Sequence, residues 1–228
     1  MLAGVYAFAA NLALRALLRP PPAMELPPAK RDAFEAMAAR VMAGNGESLG
    51  WNLPYPLHEF TRYLVRNYPV LLHGTPREDV SALEPAGQTD YSGERVTAVF
   101  ASDDGIWPLF FATIDRQRYP GPYSLRNAAM VVGQGPGERR WYLFSMSRGI
   151  RRADVVAEGA LLILPRETFR PTSGGAVRFS EWVSETGVRP YAKLPVSPAD
   201  FPFHRRISAH GEGEWFPLTW LLYRWRTR

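Results

Sequence analysis

The chain has 228 residues, 46% of them hydrophobic and 21% charged, a composition that suits a soluble globular protein with one substantial core and excludes a disordered one. Its net charge of +5 is carried almost wholly by arginine, because Lys30 and Lys193 are the only lysines, and so mild a charge is weak support for nucleic-acid binding. The absence of cysteine excludes disulfides, thiolate catalysis and cysteine-ligated metals, and His58, His73, His204 and His210 show no metal-ligand spacing, so no metal is expected.

The first nineteen residues are apolar apart from Asn11, Arg15 and Arg19. That run is shorter than the ~20 residues needed to cross a bilayer. Its arginines also follow the apolar stretch, where a secretory signal has its charges in front. The expectation is a helix docked on a cytoplasmic domain, with no transmembrane segment; contact of this helix with a membrane surface or a partner is the sharper alternative. Pro20, Pro21 and Pro22 end the helix, and a stiff linker runs to residue 28. Across residues 29–43, Ala33, Phe34, Met37, Ala38 and Val41 recur at helical spacing. A further helix is expected over 57–67, with Phe60, Tyr63 and Leu64 as its stripe and His58 as a surface or capping residue.

The pattern then changes. Residues 70–72 read as a strand, 77–83 as a short helix or turn, and 88–93 as a loop. Residues 96–101 alternate and are β-branched, which predicts a strand. Ser102, Asp103 and Asp104 supply helix-capping chemistry for an apolar helix over 106–113, with Pro108 tolerated in its first turn. Strands are expected over 128–132, 140–147, 160–164, 177–183 and 188–194. The glycine-rich residues 133–137 have no lysine and no following helix, so they read as a hairpin connection and not as a phosphate loop. The aromatic and arginine-rich tail beyond Glu214 is expected to pack on the N-terminal helices, with stacking on nucleic acid as its alternative. This gives an α+β protein in three segments: 1–69 helical, 70–205 the core, and 206–228 the tail.

Three strand ends carry polar chemistry: His73-Gly74-Thr75, then Phe100-Ala101-Ser102, then Glu181-Trp182-Val183. In that order they resemble the signature segments of the ADP-ribosyltransferase fold, in the branch that includes the poly(ADP-ribose) polymerases. There, one strand ends in His-Gly-Ser or His-Gly-Thr, a second reads Ile-Tyr-Phe-Ala, and a third begins Glu-Tyr-Ile/Val-Val. The stretch from Val70 to about Phe203 is also similar to a group of bacterial proteins, a resemblance that brings no function with it.

The first resemblance implies N-terminal helices packed on a mixed, mostly antiparallel split sheet, with NAD as a substrate and no metal. Cleavage of the nicotinamide–ribose bond passes through an oxocarbenium-like centre, which a carboxylate beside the ribose stabilises. The resemblance gives that role to Glu181, with Glu185 as its substitute if the register shifts. It implies that His73 holds a ribose hydroxyl, that the backbone of Gly74 clamps the nicotinamide amide, and that Thr75 contacts the adenosine ribose. Phe111 or Phe110 would stack on nicotinamide, while Phe100 and Ser102 line the same site.

Phe100 stands where those polymerases have tyrosine, so polymer formation is not expected. A single ADP-ribosyl transfer to an acceptor (protein, nucleic acid or small molecule) or NAD hydrolysis is expected instead, and an antitoxin or immunity protein would be a fitting partner for such a toxin-like enzyme. A non-catalytic NAD- or ADP-ribose-binding module of the same fold is the alternative. An arginine-based surface for nucleic acid or membrane is a third reading.

Overall fold

The computed structural model describes residues 2–90, 92–118, 124–150 and 155–228. Among them are five α-helices and three four-stranded sheets, an α+β arrangement. Helix α1 (Leu2–Leu17) precedes the proline linker, and α2 (Pro28–Met42) starts with proline in its first turn, where no backbone donor is needed. Phe34, Met37, Ala38 and Val41 form the buried stripe of α2, and Phe60, Tyr63 and Leu64 are buried on α3 (Leu57–Asn67), both as the spacing predicts, with Leu57 buried beside them. The buried Lys30 pairs with Glu59 and ties the two helices together.

The first sheet is built from β1 (Glu47–Ser48), β11 (Ala192–Val196), β7 (Gly159–Pro165) and β2 (Val70–Thr75), in that order. The second runs β3 (Ala86–Thr89), β4 (Arg95–Ala101), β10 (Trp182–Ser184), β8 (Arg170–Pro171). The third runs β12 (Ser208–His210), β6 (Arg139–Ser147), β5 (Leu125–Val132), β9 (Val177–Phe179). Pairings β1–β11 and β12–β6 are parallel and the others antiparallel. Helix α4 (Trp107–Ala112) follows β4, and α5 (Phe216–Arg226) forms the tail.

Alternation along the strands divides the interior. Leu72, Leu161, Ile163, Tyr142 and Phe144 face the main core together with α2, α3 and α4. Leu71, Val99, Ala101 and Leu162 face a second core on the other side of β2 and β7. Trp141 and Leu143 face a third, closed by Leu14 of α1, by Leu18 just after it and by the fully buried Tyr223 of α5. The tail therefore packs on the first helix, as its aromatic stripe suggests.

Several expected elements differ. Residues 77–83 form no helix: Thr75 Oγ1 accepts the Arg77 N–H at 3.2 Å, and Leu83 bridges Val188. Gln88 and Thr89, expected in a loop, belong to β3. The strand expected over 188–194 is confined to β11, with Val188 held only by its bridge to Leu83. The run 177–183 is two strands, not one. Ser180 donates its N–H to Ala129 of the third sheet, and two residues later Trp182 pairs with Ala101 of the second. A continuous β-like sequence cannot reveal that its two halves have different neighbours. Residues 133–137 do connect the antiparallel β5 and β6.

Candidate functional site

The three strand ends meet through direct hydrogen bonds. Strands β2 and β4 are joined at one point, where Leu72 and Ser102 exchange two backbone bonds of 2.9 Å. Beyond it the strands part. His73 Nδ1 lies 2.7 Å from the carbonyl oxygen of Phe100, so the imidazole, and not a backbone group, makes the next link between them. The Ser102 hydroxyl donates to the carbonyl of Ser180, the residue before Glu181. Residues 73, 100, 102 and 180–181 thus share one junction at the place where the chain passes between sheets.

The carbonyl of Phe100 can only accept, so Nδ1 of His73 carries the proton. Burial lowers the His73 pKa, against an opposing effect of the Phe100 bond, and the ring is neutral at pH 7. Its Nε2 is then an acceptor for a hydroxyl, and it is not among the buried unpaired atoms. Because Leu72 directs both backbone groups towards β4, alternation directs those of Gly74 the same way, past the last bond of the bridge.

Gly74 has a packing reason for lacking a side chain. A Cβ there would collide with the Pro108 carbonyl and stand 2.8 Å from the Ala112 N–H nitrogen, so α4 rests directly on the β2 backbone. Thr75 is buried and caps the Arg77 N–H, and Ser102 accepts from the Asp104 N–H at 3.1 Å while donating to Ser180. Phe110 is fully buried against Phe144 and Phe201, with centroids 4.9 and 5.6 Å away, and presents no free ring face. Phe111 is half-buried, edge-on to Trp107, and is the ring of the two that could meet a ligand.

Glu181 is buried, and its carbonyl accepts from Thr172 N–H and Oγ1 at 3.0 and 3.1 Å. Trp182 faces the second core, so alternation turns Glu181 and Val183 to the opposite face, which Phe100 shares because Val99 and Ala101 also face that core. His73, next to Leu72 of the main core, falls on the second-core face instead. The imidazole and the carboxylate are therefore on opposite faces, and one ligand could touch both only by reaching across the β2–β4 junction. On the Glu181 face of the second sheet lies a cavity of about 280 Å³ lined by Asp90, Ala98, Arg170, Thr172, Val183 and Glu185. That is just below the ~300–1,000 Å³ of small-molecule pockets, so it would hold part of a dinucleotide and not the whole. Glu185 is exposed and pairs with Arg170 at 3.1 Å.

A polar cluster that the sequence did not single out abuts this junction. The fully buried Asp104 accepts from Ile106 and Trp107 N–H at 2.7 Å through Oδ1, which caps α4, and from Arg140 at 2.9 Å and Tyr142 at 2.7 Å through Oδ2. Arg140 also reaches Ser180 Oγ at 3.0 Å and Glu138 at 2.9 Å. Burial alone would lower the Arg140 pKa; the surrounding Asp104, Asp103, Tyr142 and Glu138 raise it above its ordinary value instead. Burial, then Asp104, pushes the Tyr142 phenol well above its ordinary range. The available signal was an arginine and a tyrosine two apart on a strand side that continues with the apolar Phe144 and Met146. The cluster fixes Ser180, and through it the crossing that places Glu181.

Among the described residues no group of histidine and carboxylate side chains could hold a metal ion. Comparison of the chain with protein-family models, curated proteins and solved structures finds no match.

Proposed function

We propose that the junction binds the nicotinamide–ribose half of NAD and that the chain breaks the bond between them, passing a single ADP-ribose to an acceptor or to water. The observation that carries this reading is the meeting of the three strand ends at one junction, through the Leu72–Ser102 bridge, the His73–Phe100 bond and the Ser102–Ser180 bond, beside an imidazole nitrogen that can accept. In the reaction the electron pair of the C1′–N bond leaves with nicotinamide. The acceptor oxygen adds at C1′ and releases its proton. Glu181 would stabilise the cation between those events, and Phe111 would cover the nicotinamide ring. An antitoxin or immunity protein remains the partner that such an activity would call for.

The test is release of nicotinamide from labelled NAD by the purified chain, followed with Glu181→Gln alongside. Turnover that falls about 10²–10³-fold in the variant supports the reading, by the scale set when one preorganised stabilising group is removed. Neither nicotinamide release nor NAD binding would end it.

A second reading is favoured by two specific observations: His73 and Glu181 lie on opposite faces, and Phe100 has no hydroxyl. On this reading the junction holds NAD or ADP-ribose without turnover. Calorimetry selects it if NAD binds, His73→Ala weakens the binding, and no nicotinamide is formed.

A further inference from the structure

Helices α1 and α5 lie side by side on the outer face of the third sheet: Leu14, Leu18 and Tyr223 share one core against Trp141 and Leu143, and Arg224 donates to the Arg15 carbonyl. Their inward faces are those of ordinary amphipathic helices, but their outward faces are not polar. On α1 the outward line is Phe8, Leu12 and Ala16, four residues apart, with Phe8 73% and Leu12 62% exposed. On α5 it is Leu218, Leu221 and Trp225, with Leu221 58% and Trp225 64% exposed. Every large apolar side chain that is exposed among the described residues belongs to α1, to α5 or to Trp215, the residue before α5. Single exposed apolar residues are ordinary; a whole set gathered on one layer marks a binding face.

The charges of the two helices themselves are of one sign. Neither helix contains an aspartate or a glutamate, while Arg15 and Arg224 flank the apolar lines and Arg228 follows α5. Arg226 is engaged by Glu214 at 2.7 Å. A second copy of the chain on this face would set arginine against arginine. Anionic headgroups complement it, and leucine with tryptophan suits the boundary between headgroups and acyl chains. No helix among the described residues is long and apolar enough to cross a membrane, so the two helices would lie in the plane of the surface.

We propose that the α1–α5 layer is a docking face for an anionic lipid surface, with Phe8, Leu12, Leu221 and Trp225 inserted at the headgroup boundary and Arg15 and Arg228 on lipid phosphates. This does not depend on NAD chemistry, since the layer lies behind the third sheet.

The test is flotation of the full chain with phosphatidylcholine vesicles that contain or lack phosphatidylglycerol, at low and high salt, together with tryptophan emission. The proposal expects partition onto the anionic vesicles that is at least about tenfold stronger than onto zwitterionic ones and weaker in high salt. It also expects a blue shift on binding. Leu221→Glu combined with Leu12→Glu should abolish the partition, and Arg15→Gln combined with Arg228→Gln should reduce it to the zwitterionic level. Far-UV circular dichroism confirms that each variant is folded, and Trp225→Phe separates the emission change from the binding. Absence of partition, or equal partition of the glutamate variant, overturns the proposal. So does a lipid-free dimer that the glutamate variant dissolves, which would assign the face to a second copy.

Discussion

At the start of α4, Asp104 is fully buried and has both oxygens doubly hydrogen-bonded, to two backbone N–H groups, a guanidinium and a phenol. One strand away, His73 makes a single bond to the Phe100 carbonyl and keeps a nitrogen that can accept. Both are polar groups beside the same bridge, yet the first has no hydrogen-bonding capacity left and the second has. A saturated cluster holds structure, because any ligand that used it would first have to break it. Spare capacity is what recognition requires. The same contrast sorts the remaining candidates: Ser102 and Thr75 are engaged in capping and crossing, Phe110 is core, Gly74 is covered by α4, and Phe111 is half-buried.

The largest expected effect breaks the saturated side of that comparison. Asp104→Ala leaves Arg140 and Tyr142 without their central acceptor and α4 without its cap. Removing one partner of a buried ion pair costs about 3–5 kcal/mol, and urea unfolding should show a loss of that order. A loss below about 1 kcal/mol would mean that the cluster is not what holds the crossing.

Gly74→Ala comes next. The added methyl meets the Pro108 carbonyl and the Ala112 nitrogen, both main-chain atoms that cannot rotate away, so a cost of about 1–3 kcal/mol is expected. If the glycine served only a ligand, the variant would keep its stability and lose NAD binding alone. The same unfolding curve, set beside calorimetry, tells the two apart.

How much of this was legible follows from which forces are local. Helices α2 and α3 follow from apolar residues three and four apart, and the cap on α4 from Ser102, Asp103 and Asp104, because those signals lie within one or two turns. The strand-end motifs were also readable as segments. The faces on which their side chains fall were not, since these depend on where β9 gives way to β10, and that break is set by Ala129 and Ala101 in other sheets. Nor could the packing of α4 on Gly74 be read, because a glycine that admits a helix and one that admits a ligand are the same letter. The outward apolar lines of α1 and α5 were visible as composition, but only the sheet beneath them shows which side is out.

Acid sharpens the comparison less strongly. His210 is buried between the hydroxyls of Ser145 and Ser124, each 2.8 Å away, and burial first, then Arg126, lowers its pKa to about 4. Burial lowers those of His58 and His73 as well. The unfolded chain then binds protons that the folded one refuses, so stability is lost as pH falls from about 6.5 towards 4. Glu214, lowered to about 2 chiefly by its bond to Arg226, adds a loss that begins below about 4.5. Thermal unfolding should therefore move down by several degrees between pH 7 and pH 5. His210→Asn, whose amide can still meet both serines, should flatten that slope; an unchanged slope would place the proton uptake elsewhere.

The smallest effect is expected one residue from the largest. Asp103 sits 3.6 Å from Arg140, which already meets Asp104 and Glu138 at 2.9 Å, and among the described residues its Oδ1 has no hydrogen-bond partner. Arg140 therefore faces three carboxylates, and Arg178 relieves only one of them, holding Glu138 at 2.6 Å. Asp103→Asn removes a negative charge that is crowded by two others and loses no hydrogen bond at Oδ1. Its attraction to a guanidinium already engaged at shorter range is the term forfeited, and relief of repulsion from Asp104 and Glu138 opposes that loss. Stability within about 1 kcal/mol of the parent is expected from urea unfolding. A loss as large as that of Asp104→Ala would show that Arg140 is held by the summed charge of the cluster, and that saturation of the individual oxygens does not decide which of its members matter.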